Sequence, residues 1–83
     1  MTIDQLVPLT NGLSANAGAQ ALMLERARVS RGSDKTIDIS FRIAGTDLAP
    51  RLSLPSQRLA SSSIDEIVAI LRRVVARVVN PPL

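Results

Sequence analysis

The chain has 83 residues, ten of them Lys or Arg and seven Asp or Glu, for a formal charge of +3, and it contains neither cysteine nor histidine. That length suits one domain near the lower limit at which a single hydrophobic core holds a fold without metal, disulfide or partner subunit. Disulfides and thiolate sites are excluded, and zinc, haem and iron–sulfur ligation lose their usual ligands, so no metal or cofactor is expected.

An isoelectric point of about 11.1 overstates the basicity. With one lysine, Lys35, and no His, Cys or Tyr, little titrates between the carboxylates and the nine arginines, so the charge stays nearly flat across neutral pH. What counts is whether the arginines cluster, since a local patch attracts anions even when the total is small. The opening MTIDQLVPLT lacks the basic start and long apolar run of a signal peptide, and no apolar stretch reaches the roughly 18 residues that span a bilayer. A reducing cytoplasm without membrane contact is the expected setting. Phe41 is the single aromatic residue, so the core must be aliphatic.

Residues 2–5, TIDQ, match the T-x-x-Q capping pattern, but Pro8 follows so soon that a helix here is limited to one or two turns. The next stretch, TNGLSANAGAQ, is rich in Asn, Gly, Ser and Ala and reads as a connector, so residues 1–20 are expected to form a loosely structured N-terminal segment. ALMLERARVSR, residues 21–31, alternates in two phases, Leu22 and Leu24 in one and Ala27 and Val29 in the other. A one-residue slip near Glu25 and Arg26, as a β-bulge provides, puts all four on one face of a strand.

GSDK, residues 32–35, is turn chemistry, with Gly suited to positive φ and Ser and Asp to local backbone bonding. In TIDISFRI, residues 36–43, Ile37, Ile39, Phe41 and Ile43 alternate with polar residues, the pattern of a half-buried strand that closes a hairpin with its predecessor. AGTD supplies another turn. LAPRLSLP, residues 48–55, carries two prolines and is expected as a short edge strand.

SIDEIVAILRRVVARVVN, residues 63–80, opens with an S-x-x-E box, and its Ile, Leu and Val residues fall within about half the circumference at ~100° per residue. That periodicity predicts a helix despite the many β-branched residues, which cost a helix only tenths of a kcal/mol each. Pro81 and Pro82 end it. Arg72, Arg73 and Arg77 lie in its second half, where positive charge complements the exposed carbonyls.

The expected fold is therefore α+β in two layers: a three-stranded antiparallel sheet over residues 21–60, packed by one amphipathic helix over 63–80. The order of short helix, three strands and terminal helix resembles that of double-stranded-RNA-binding domains. In that family the second helix opens with a lysine cluster, whereas here it opens with SSSIDE, so the likeness stops at element order.

Catalysis is not expected. A serine nucleophile finds no evident base, Asp65 and Glu66 are accounted for by helix capping, Asp34 and Asp47 by turns, and no phosphate-binding glycine motif occurs. If the hairpin pairs as described, Arg26, Arg28, Arg42 and Arg51 share the face opposite the Ile37–Phe41 stripe, with Asp38 as the only acid among them. Such a face suits an acidic protein partner, or duplex nucleic acid as the less favoured reading, and its plain alternative is a solvated face with cross-strand ion pairs. Single-stranded nucleic acid is disfavoured because stacking wants aromatic platforms. The helix carries more aliphatic surface than a small sheet covers, and Val68, Ile70, Val75 and Val79 are expected as the surplus, available to a second copy in a homodimer. The sequence thus points to a small non-catalytic module acting through protein contacts; accessory factors and inhibitors of phage or mobile elements include chains of this size.

Overall fold

The structure, a computed structural model, describes residues 1–17 and 20–80. The Thr2 amide donates to Gln5 Oε1 at 2.9 Å, opening a 3-10 turn, Ile3–Gln5, that runs into helix α1, Leu6–Thr10. Pro8 is accommodated because it falls within the first turn of α1, where an amide has no helical partner to lose. The helix ends in a type II turn: Asn11 has φ −67° and ψ 120°, Gly12 has φ 87°, and the Leu13 amide donates to the Thr10 carbonyl at 3.1 Å. Glycine is needed at the second central position, where φ is positive.

Among the described residues the sheet has four strands in the order β1-β2-β3-β4, all antiparallel: Ser14–Ala17, Gln20–Arg31, Thr36–Ile43 and Arg51–Pro55. This corrects the expected count of three and the expectation of a loose N-terminal segment. SANA is a poor strand by propensity, but it pairs with the long N-terminal half of β2 and lies against the terminal helix, with Ala15 buried. Tertiary context of this kind outweighs intrinsic strand preference. The sheet also stops at Pro55, short of the expected residue 60, and residues Ser56–Ser61 form a one-and-a-half-turn helix, α2.

Strand β2 carries the bulge that its two-phase pattern requires. Glu25 opposes Arg42 and Arg28 opposes Ser40, so Arg26 and Ala27 together face Phe41. Arg26 takes φ 53°, the left-handed conformation that the first residue of a G1 bulge adopts, where glycine is usual. The slip brings Leu24, paired with Ile43, and Val29, paired with Ile39, onto one face.

In the β2–β3 turn the positive φ values fall on Asp34 (55°) and Lys35 (60°), with the Thr36 amide donating to the Ser33 carbonyl at 3.2 Å. Gly32 has a different use from the expected one. A Cβ there would lie 2.5 Å from Thr36 Oγ1 and 2.8 Å from Asp38 Oδ2, so a side chain at this position would force the Thr36 and Asp38 side chains to shift. Gly45, at φ 80°, does supply positive φ to the turn after β3.

The terminal helix α3, Ile64–Val79, starts where the Ser63 hydroxyl accepts the Glu66 amide at 3.2 Å. Ile67, Leu71 and Val75 recur every four residues and are completely buried in one cluster with Leu6, Leu24, Ile39, Phe41 and Ile43. Each such side chain contributes about 1.5–3 kcal/mol on leaving water. Val75 is therefore core and not part of an uncovered flank, because at ~100° per residue it lies only 80° from Ile67, on the side that the sheet takes. The Met1 amino group donates to the Ser62 and Ala60 carbonyls at 3.0 and 3.3 Å, tying the N-terminal segment to the end of α2. Among the described residues no helix is long and apolar enough to cross a membrane.

Candidate functional site

The outward face of the sheet is arranged in cross-strand rows set by the register. Arg28, Ser40 and Arg51 form one row across β2, β3 and β4; Ser30, Asp38 and Ser53 form the next. Ser53 Oγ donates to Asp38 Oδ1 at 2.7 Å. A shallow depression of about 290 Å³ lies over these two rows, lined by Ser30, Asp38, Ser40, Arg51 and Ser53.

The four arginines expected on this face have separate situations. Arg28 and Arg51 are exposed and flank Ser40. Arg42 is turned to the adjoining loop, where Nε donates to the Thr46 carbonyl at 3.3 Å and Nη2 lies 3.7 Å from Asp47 Oδ1. Arg26 is exposed at the bulge. Asp38 is not the only acid here: because the bulge begins after Glu25, that residue stays in phase with the outward side and sits directly opposite Arg42. The charges are thus interspersed, and the potential of the face is weaker than its arginine count implies.

A second, more one-sided concentration of charge lies on the other side of β4. Between that strand and α3 runs a groove of about 280 Å³, lined by Leu52, Ser53 and Leu54 of the strand, Ile70, Arg73, Val74 and Arg77 of the helix, and Arg58 of α2. Among the described residues that line it are three arginines and no acid. Among the described residues the one ion pair is Arg42–Asp47, so none of the three is neutralised by a carboxylate of that set. Arg72, by contrast, projects from another side of α3, and its Nε donates to the Ser14 carbonyl at 3.3 Å, fastening the helix to edge strand β1.

Of the helix residues expected to form a contact surface, Val68, Ile70 and Val79 are partly exposed and Val75 is not accessible. Ile70 lines the groove, whereas Val68 and Val79 lie on the opposite flank of the buried stripe by helical periodicity. One edge of the groove was legible in the sequence, since Ile70–Val74 and Arg73–Arg77 are two i, i+4 pairs side by side. That Arg58 and β4 face them depends on the packing alone.

The carboxylates are dispersed: Asp65 and Glu66 occupy the first turn of α3, Asp34 the hairpin turn, and Asp47 the loop beside Arg42. Among the described residues no three of them converge as a metal-binding group. No protein family, no curated protein and no solved structure matches this chain.

Proposed function

We propose that the chain is a small non-catalytic binding module that acts through contact with another protein, in the manner of an accessory factor or inhibitor. The observation that supports this reading is the aliphatic surface α3 retains after the sheet has covered Ile67, Leu71 and Val75: Val68 and Val79 on one flank, Ile70 and Val74 on the other, all partly exposed. A second copy of the chain covers the Val68–Val79 flank in this reading. Two-fold pairing is the commonest oligomeric arrangement, and a domain of this size gains stability from added burial. Light scattering on the full chain is expected to give a mass near twice that of the monomer, and Val68→Lys is expected to return it to one while the helical circular dichroism persists. A monomer mass at every concentration removes the homodimer.

A second reading, duplex nucleic acid, draws on the exposed Arg28 and Arg51 on either side of Ser40. Glu25 and Asp38 on the same face count against it. Binding to a duplex oligonucleotide then has to weaken steeply with salt and disappear in the Arg28→Glu/Arg51→Glu variant, because phosphate contacts release counterions. No binding at low salt removes this reading.

A further inference from the structure

We infer that the groove between β4 and α3 is a docking site for a short, extended, acidic segment of a partner protein, which adds as a fifth strand to the edge of β4. This deepens the proposal that the chain is a protein-binding module and rests on it. Three features converge on the same place.

The first is backbone. The Phe41 amide donates to the Pro50 carbonyl at 3.3 Å and the Ile43 amide to the Leu48 carbonyl at 3.1 Å, so the odd-numbered residues of β3 turn their main chain toward β4. By the two-residue alternation of an antiparallel ladder, their partners Leu52 and Leu54 turn inward, and Arg51 and Ser53 turn their N–H and C=O groups away from the sheet. Strand β4 pairs only with β3 among the described residues, so these groups are a template for another strand. Pro55, in the same phase as Arg51 and Ser53, bounds the template at one end because it has no N–H to offer there, and the segment it accepts is short.

The second feature is apolar. Leu52 on the strand and Ile70 and Val74 on the helix are partly exposed beside this edge, so alternate side chains of an added strand on the α3 side meet aliphatic surface. The third is charge. Arg58, Arg73 and Arg77 line the same groove with no acid among its described lining residues, which selects carboxylates on the incoming segment. It also argues against a second copy here, because two-fold pairing of β4 edges sets like charges against one another. A nucleic acid satisfies the arginines but can neither complete a strand ladder nor fill the aliphatic wall.

The test uses the full chain labelled with ¹⁵N and a synthetic peptide of alternating glutamate and valine, with a lysine-for-glutamate peptide and a duplex oligonucleotide as comparisons. Titration with the acidic peptide is expected to shift the Ser53 amide resonance and slow its hydrogen exchange about tenfold or more, as a new ladder bond does. Arg73→Glu/Arg77→Glu is expected to weaken binding about tenfold or more, and so is Ser53→Pro, which removes the outward amide and leaves the main-chain bonds to β3, with Ser53→Ala as the control for the lost Ser53–Asp38 bond. The lysine peptide is expected not to bind. Peptide binding that survives both variants but is lost in Arg28→Glu/Arg51→Glu overturns the groove and leaves a protein-binding module acting through the sheet face. Binding of the oligonucleotide with none of the peptide overturns both the groove and the broader reading. Binding of neither, by a chain whose spectrum shows it folded, overturns the groove.

Discussion

Asn11 Oδ1 accepts the backbone amide of Ala27 at 2.9 Å, so the turn that ends α1 completes the hydrogen bonding of the bulge in β2. The bulge withdraws Ala27 from the β2–β3 register, and its N–H takes a side-chain acceptor sixteen residues away in place of a strand partner. The same Asn11-Gly12 pair forms the type II turn, and the Gly12 amide donates to the Leu24 carbonyl at 2.8 Å. Two local irregularities, each a cost when taken alone, thus satisfy one another. Asn11→Ala is expected to destabilise the fold by about 1 kcal/mol, or roughly 4–8 °C in Tm for a domain this size, and to speed hydrogen exchange at Ala27. Asn11→Asp keeps the acceptor and is expected to retain most of the stability in the same thermal melt.

Arg26 occupies the left-handed region at φ 53° in a position where glycine carries no steric penalty. Replacement by glycine removes both the charge and the strain, whereas valine removes the charge and worsens the strain. Arg26→Gly is expected to leave stability unchanged or raise it by up to about 1 kcal/mol, and Arg26→Val to lower it by about 1–2 kcal/mol. Chemical denaturation of the two variants separates the conformational role of the residue from any role of its guanidinium.

Thr10 is fully buried at the end of α1, and its hydroxyl has no hydrogen-bond partner among the described residues. The methyl and the shape of the side chain suit the core, while the hydroxyl is a desolvated polar group without compensation. Thr10→Val keeps the shape and removes the uncompensated group. It is expected to stabilise the protein by about 1 kcal/mol, read as a higher denaturation midpoint at an unchanged slope. A loss of stability would mean that the hydroxyl has a partner in solution.

What the sequence by itself determined is whatever depends on neighbours a few residues apart. The alternation in Thr36–Ile43 set the core face of β3; the change of phase between Leu24 and Ala27 located the bulge; and the cap, the apolar half and the following Pro81 delimited α3. Such features follow from the two-residue and 3.6-residue periods of strand and helix, which operate within a segment. Tertiary structure decided the rest. SANA became β1 because the long arm of β2 and the face of α3 were there to receive it, and Val75 went into the core while Val68 stayed at the margin because of where the sheet meets the helix. Above all, Arg58 came to face Arg73 and Arg77 across an open strand edge. Periodicity gives the face on which a residue lies; only packing between segments distant in the chain decides what that face meets, because burial and charge are properties of the assembled surface.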